Sequence, residues 1–268
     1  MDSSSDWRSR VAEALGPVEG VRSLGGSVWS FTANGRRGVV KIGPGSADEA
    51  EGLRRLGAVT GGPSVPDVLH CTGDLLVTEW IDSTRRSETH EERLGRELGA
   101  LHSTTIDQWG GGSGWIGNCR VDSDRCSSGP EFYRSRLTDL ARRCNLEELV
   151  VPLAERIGEM APFGPPAPLH GDLWWGNVQW GTGGRPWLVD PSFHGGHPEE
   201  DLGMLALFGS IPSRLLGAYR EVHPLDDGWT NRVALWQLYP LLVHTCLFGG
   251  GYRNQVVDIA RRLGSTRG

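Results

Sequence analysis

Lysine is almost missing from this sequence. Of its 27 cationic side chains 26 are arginine, and Lys41 alone is lysine. On a solvated surface the two cations do nearly the same work, so a bias toward arginine explains the loss elsewhere but not why one lysine stays. Positive charge is not in excess either: 27 Lys and Arg stand against 33 Asp and Glu, and the net charge of −6 excludes a broad nucleic-acid surface. No apolar run reaches the roughly 18 residues of a spanning helix. The first six residues, MDSSSD, lack the basic and apolar regions of a signal peptide. The expectation is a soluble, cytoplasmic protein with no membrane and no nucleic-acid partner. Cys71, Cys119, Cys126, Cys144 and Cys246 are odd in number, scattered, and free of metal-binding spacing, so they read as reduced thiols, with Cys119 to Cys126 the one pairing the spacing allows. Internal repeats are absent, as is any low-complexity tail beyond those six residues.

What is present is core-forming material. Hydrophobic residues make up 38% of 268, with 11 Trp, which suits one large domain or two lobes with separate cores. Lys41 lies in GVVKIG (38–43), a β-branched run that reads as a strand, and a compact ammonium on a strand near a Gly-rich turn can hold a phosphate as a point charge. The run from Val28 to Ala33 and the Lys41 run flank Asn34 and Gly35, a strong hairpin signal. Ser46 to Glu49 reads as a capping box opening a helix, with Leu53 and Leu56 on one face and Gly57 as its stop. Residues 63–69 and 75–79 read as two more strands. After Asp82 the pattern turns helical, at 88–103, 131–144, 152–160, 197–208, 213–222, 229–247 and 252–263. The fold class expected is α+β: a small β-sheet lobe with one main helix over 1–80, and a larger, mainly helical lobe over 81–268.

The densest chemistry lies in LHGDLWWGNV (169–178), a loop carrying Asp172 and Asn177. A short hairpin follows, and Asp190 stands just past its second strand. Phosphoryl transfer uses such a set: one carboxylate takes a proton from the attacking hydroxyl, while an amide oxygen and a second carboxylate hold Mg²⁺ against nucleotide phosphates. Asp followed five positions later by Asn is the spacing of a kinase catalytic loop. His170 reads as a structural brace for that loop rather than the base. Glu49 has two readings, a helix cap or the partner of Lys41, and Glu51 would point to another face. No APE-like activation segment follows Asp190, which disfavours a protein substrate.

These segments resemble the fructosamine (ketosamine) kinase family, within the aminoglycoside-phosphotransferase-like small-molecule kinases that share the protein-kinase fold. The resemblance runs over nearly the whole chain. It is carried by LGG (24–26), VVK (39–41), EAEGL (49–53), VPDVL (65–69), LVTEW (76–80), LGRELGALH (94–102), HGDLWWGN (170–177), Asp190 with Pro191, and GHPEEDLGM (196–204). It implies ATP and Mg²⁺ as cofactors, with Lys41, paired to Glu49, on the nucleotide phosphates and Gly25 and Gly26 beside it. It implies adenine against the backbone of Glu79, Trp80 and Ile81, with Asp172 as base and Asn177 and Asp190 as Mg²⁺ ligands. Asp201 is implied as a brace of the catalytic loop bordering the acceptor, and Trp174 as a platform for a sugar ring. Trp175 stands where a small residue is usual and is expected to narrow the acceptor pocket. Residues 116–121 and 191–196 also depart from the family pattern, again where an acceptor would sit. The expected activity is transfer of the γ-phosphate of ATP to a hydroxyl of a small polyhydroxylated acceptor, first a sugar-derived ketoamine. The alternative is an antibiotic phosphotransferase for a cationic amino-sugar-like drug, suited by Asp172, Asp190, Glu199, Glu200, Asp226 and Asp227. A catalytically silent nucleotide-binding protein is the third reading, and the oligomeric state is left open.

Overall fold

Trp7, Val11 and Leu15 recur every four residues, and they form one stripe of a helix, α1 (Asp6–Leu15), laid against the sheet that follows. The computed structural model describes residues 6–112 and 114–265. After α1 come β1 (Val18–Gly25), β2 (Val28–Ala33), β3 (Arg36–Ile42), α2 (Ser46–Gly57), β4 (Val68–Thr72) and β5 (Leu75–Glu79). The five strands make one antiparallel sheet in the order β1-β2-β3-β5-β4. Strand alternation sorts its two faces: Val40, Leu75 and Val77 pack with Trp7 and Val11 of α1, whereas Leu76 packs with Ala50 and Leu53 of α2. Lys41 stands opposite Leu76 in the ladder, so the same alternation turns it toward α2.

The remainder is helical with short ladders. In order it holds α3 (Glu88–Ser103), β6 (Trp115–Ile116), β7 (Cys119–Arg120), α4 (Gly129–Arg143), α5 (Glu147–Glu155), α6 (Ile157–Met160) and β8 (Ala167–Leu169). Then follow β9 (Val178–Trp180), β10 (Pro186–Leu188), β11 (His194–Gly196), α7 (Pro198–Leu205), α8 (Ser213–Val222), α9 (Trp229–Trp236), α10 (Leu238–Phe248) and α11 (Gly251–Ser265). One core joins α4, α5, α10 and α11, and a second joins α3, α7 and α8 to Leu173, Leu188 and Phe193. α3 and α8 approach closely because Gly95 offers no Cβ, which would lie 2.2 Å from the Leu215 carbonyl oxygen. Among the described residues no helix is long and apolar enough to cross a membrane. The cysteines are free thiols, and Cys119 is not bridged to Cys126.

Several expectations need correction. α1 and β1 are additional: β1 is mostly exposed and has two register irregularities, so no apolar alternation marks it. Of residues 63–69 only Val68 and Leu69 enter the sheet, because Pro63 and Pro66 have no N–H to give a ladder. The 229–247 stretch is two helices, since Pro240 cannot donate to the Trp236 carbonyl and breaks the turn between α9 and α10. α5 starts at Glu147, ahead of the expected 152, and α6 is separate from it. Ser46 is the first residue of α2 with Gly45 as its N-cap, and the Ser46 hydroxyl donates to the Asp74 carbonyl at 2.8 Å, so the capping box is not made.

A buried charge pair ties α4 to α7. Arg136 donates to Glu200 at 3.1 Å, both residues being almost wholly enclosed, and Tyr133 and His194 also meet the Glu200 carboxylate. Burial alone would raise the Glu200 pKa; Arg136 and His194 overcome it and hold the carboxyl down at about 2. Glu200→Gln should therefore strand the Arg136 charge and lower unfolding stability by about 3 kcal/mol in urea titrations. The folded pKa lies below the ordinary carboxylate value, so the contribution is whole above about pH 4.5 and fades as pH falls toward 2. A variant as stable as wild type at pH 7 would contradict it.

Candidate active site

Two small ladders position the loop. β8 pairs with β11 and β9 with β10, so residues 170–177 hang between β8 and β9, while Asp190 leaves β10 beside them. The Val189 N–H donates to the Asn177 carbonyl at 3.0 Å, and the His170 Nε2–H donates to the Val189 carbonyl at 3.0 Å. From α7, Asp201 accepts the N–H groups of His170 (2.8 Å) and Gly171 (2.9 Å), and its Oδ2 also accepts from His102 Nε2 at 3.3 Å. Burial pushes the Asp201 pKa up, and these donors outweigh burial to hold it low. Gly171 has φ +79, and a Cβ there would sit 2.0 Å from the Ser192 carbonyl oxygen, so no other residue fits.

On this frame the polar side chains converge. Lys41 Nζ donates to Glu49 Oε2 at 2.5 Å and to Asp190 Oδ1 at 3.2 Å, joining strand, helix and loop. The two readings of Glu49 are thereby separated: its carboxylate meets Lys41 and caps nothing, while Glu51 is exposed. Asn177 Nδ2 donates to the Asp172 carbonyl at 2.9 Å and to its Oδ2 at 3.2 Å, which leaves Asn177 Oδ1 as a free acceptor. Asp190 is one of three non-glycine residues with positive φ among those described, at +54°.

The electrostatics are short of positive charge. Burial lowers the Lys41 pKa, but Glu49 and Asp190 outweigh it and keep the ammonium charged. Burial and then Asp190 push Asp172 up to about 7, against the Asn177 hydrogen bond and Lys41. Glu49 is likewise raised, by burial first, because one cation serves two carboxylates. Hard oxygen donors in a pocket that disfavours its own negative charge fit a small divalent cation that keeps waters and binds phosphate. Asn177 Oδ1 and the Asp190 carboxylate are the groups that fit it; no cluster of three or more His, Cys, Asp or Glu suited to a metal occurs among the described residues.

Two cavities meet at Lys41, Glu49 and Asp190. One, of about 320 Å³, lies under the sheet and is lined by Leu24, Val28, Leu76, Glu79, Trp80 and Ile81. Its apolar walls suit a flat heterocycle. Trp80 and Glu79 already donate their N–H groups to Arg37 and Asp67, and the Glu79 carboxylate accepts from the Asp67 N–H, so Ile81 supplies the free backbone donor. The other, of about 440 Å³, takes in Gly26, Asp172, Asn177 and Trp174, together with Trp115 to Asn118 of the β6–β7 hairpin. Gly25 ends β1 beside Gly26 with open space around it.

Three sequence-derived residues do not face the acceptor side. Asp201 is 1% exposed and lies behind the loop, so of its two expected roles it has the geometry of the brace. His170 is buried in that bracing position as well. Trp175 turns away from the cavity and is covered by the Arg86 guanidinium, 4.5 Å from its ring, and by Trp180. Trp174 does face it, 40% exposed, with its ring folded over Gly176. Three of the six acids invoked for a cationic drug are engaged away from the cavity, Glu199 by Arg232 and Trp236, Glu200 by Arg136, and Asp226 by Arg232, whereas Asp172 and Asp190 line it.

Aminoglycoside phosphotransferase APH(4)-Ia, in a thermostable mutant, superposes with a TM-score of 0.60 over 97% of this chain and 100% of its own, at 17% identity. That likeness concerns the fold, the two-lobed α+β architecture of the small-molecule kinases. Narrower likenesses place the chain within this class. The family model described as Fructosamine kinase matches residues 43–265. A Probable ketoamine kinase of Enterococcus faecium is 32% identical over 224 residues, 78% of this chain and 79% of that one. The crystal structure of a protein assigned as a fructosamine-3-kinase in Thermobifida fusca has a TM-score of 0.84 at 36% identity, over 95% of this chain and 96% of its own. The chain belongs to the fructosamine kinase family, and its relatives make it a kinase.

A carboxyl held at about 7 destabilises the fold wherever it is ionised, because the unfolded chain keeps the ordinary value. Asp172→Asn should therefore raise stability at pH 8 by about 1–2 kcal/mol, and the gain should shrink as pH falls through 7 toward the ordinary carboxylate range. Thermal melts at pH 8 and pH 5 check both sign and trend; a less stable Asn variant at pH 8 would overturn the assignment of burial as the cause.

Proposed function

We propose that the protein transfers the γ-phosphate of ATP to a hydroxyl of a sugar-derived ketoamine. The observation that carries this reading is the convergence of Lys41, Asp172, Asn177 and Asp190 on one cavity that opens into a second, apolar one. In this reading residues up to about 80 form the nucleotide lobe and the rest the catalytic and acceptor lobe. Adenine lies against Ile81, and Lys41, oriented by Glu49, holds phosphate oxygens. Asp172 orients the acceptor hydroxyl and takes its proton as that oxygen bonds to the γ-phosphorus and the bond to the ADP oxygen breaks. Mg²⁺, when held by Asn177 and Asp190, neutralises charge on the phosphates. Asp201 and His170 keep the loop in place, and Trp174 offers a face to the sugar.

The ketoamine is favoured over a polycationic drug because three of the acids that would attract the drug are engaged with arginine. An intact set of phosphate-handling residues disfavours a silent nucleotide binder. A substrate panel of fructosyl-amino acids beside amino-sugar antibiotics, with ATP consumption as the readout, is expected to show turnover with the ketoamines alone. Turnover only with the antibiotics would reverse the choice, and turnover with neither would reject both. Asp172→Asn should lose turnover by at least about a thousandfold while still binding Mg-nucleotide, because the base acts on the acceptor.

Glu49 and Glu51 separate pairing from incidental charge. Glu49→Gln should lower kcat/KM for Mg-ATP by about tenfold or more, whereas Glu51→Gln should change it less than about twofold. Equal losses in the two variants would leave Lys41 without an assigned partner in function.

A further inference from the structure

Five described residues with large apolar side chains are notably exposed, and three of them, Trp174, Phe208 and Phe248, lie along one line of rings. Trp174 lies 5.9 Å from Phe208, which sits in the turn after α7. Phe208 lies 5.2 Å from His244 of α10, and His244 lies 5.8 Å from Phe248 and 5.0 Å from Tyr252 of α11. The line therefore starts at the cavity wall beside Asp172 and runs out over the helical lobe. Scattered exposed rings need no explanation; a connected row leading out of the cavity offers a continuous aromatic surface to a ligand that extends from it.

The row is supported from below. An added Cβ at Gly209 would lie 3.1 Å from Trp175 Nε1, so the turn that carries Phe208 rests on Trp175. Trp175, which does not reach the cavity, thus bears on the acceptor side indirectly. In the middle of the row His244 Nδ1 donates to the Pro240 carbonyl at 2.7 Å, and in the neutral ring that leaves Nε2 as an acceptor.

We propose that Phe208, His244, Phe248 and Tyr252 form an outer acceptor subsite for the group carried on the ketoamine nitrogen, selecting an aromatic or apolar substituent. This rests on the ketoamine reading. With the reacting hydroxyl at Asp172 and the sugar over Trp174, the amine is the end of the acceptor that leaves the cavity. Ring faces favour a cationic amine and stack with an aromatic substituent beyond it. The occupant is the acceptor itself because the row is continuous with the wall that the acceptor must touch.

The test compares two acceptors with the same sugar, 1-methylamino-1-deoxyfructose and 1-benzylamino-1-deoxyfructose. Wild type should prefer the benzyl compound by about tenfold in kcat/KM, chiefly through KM. Phe248→Ala, at a residue 66% exposed and so unneeded for folding, should bring the ratio near one, Phe208→Ala should act in the same direction, and Phe248→Tyr should restore the preference. The Mg-ATP KM, read in parallel, should move less than about twofold, which separates a lost acceptor contact from a disturbed fold. Equal use of the two acceptors by wild type, or an unchanged ratio in Phe248→Ala, overturns the subsite while leaving the ketoamine reading standing. Turnover of neither acceptor refutes that reading and the subsite with it. A wild-type dimer in sedimentation that Phe248→Ala dissociates would make the row a contact between two copies and overturn the proposal.

Discussion

One ammonium closes the cleft. Among the described residues Lys41 is the one point at which β3, α2 and the segment after β10 exchange charge, through Glu49 at 2.5 Å and Asp190 at 3.2 Å. Its place follows from strand alternation: a residue opposite Leu76 has to face α2. The depth of the site follows from the same contact. A long side chain is held by two carboxylates, one from α2 and one from the segment after β10, so the charge that the proposed function assigns to phosphate is placed before any ligand arrives. That arrangement suits a lysine better than the arginine found at every other cationic position. A guanidinium is wider and forked, and between two carboxylates it would be committed to them rather than left with a donor for phosphate.

The second support is a chain of hydrogen bonds that reaches the loop from behind. Tyr219 bonds His102 at 2.9 Å, His102 bonds Asp201, and Asp201 takes two backbone N–H groups at the start of the loop. Each link is buried, and each donor has an acceptor, which is the condition under which a polar network adds rigidity rather than instability. Nearby, Arg136 and His194 meet at 3.0 Å, and His194 also bonds the Ser192 carbonyl at 2.9 Å. The charge pair between α4 and α7 is thus wired to the segment that carries Asp190. Ser192 and His194 carry this wiring.

How much of this was legible in the sequence depended on whether chemistry or packing set the signal. The side chains that converge on the cavity were marked in the sequence by residue types scarce in context: a sole lysine, an Asp and Asn five apart, an Asp ending a hairpin. Glu49 remained ambiguous in sequence because a capping carboxylate and a pairing carboxylate occupy the same helix position, and only the register of Lys41 separates them. Trp174 and Trp175 are adjacent and chemically identical, yet one borders the cavity and the other lies under Arg86. Nothing local distinguishes them. β1 was unreadable for a different reason, its exposed strand having no face to mark, whereas α1 was missed although Trp7, Val11 and Leu15 recur at helical spacing. Glu199 and Glu200 misled in the opposite sense, since the arginines that neutralise them come from helices far along the chain.

The shortage of positive charge in the cavity connects stability to chemistry. Asp172, Asp190 and Glu49 surround one lysine, and burial raises Asp172 and Glu49 toward neutrality. A fold built only for stability would replace one of these carboxylates with an amide, as Asn177 shows is geometrically feasible beside Asp172. Keeping all three leaves the free protein with unfavourable electrostatics that only added cations relieve. In the reading proposed above, a metal-bound nucleotide would bring two such charges on the ion and set its phosphates near Lys41, so that binding and charge relief would coincide. The same excess of negative charge disfavours a free nucleotide without metal, because its phosphates would meet carboxylates with one lysine to offset them. In the reading proposed above, the pocket's own charge balance would favour a metal complex over a bare nucleotide.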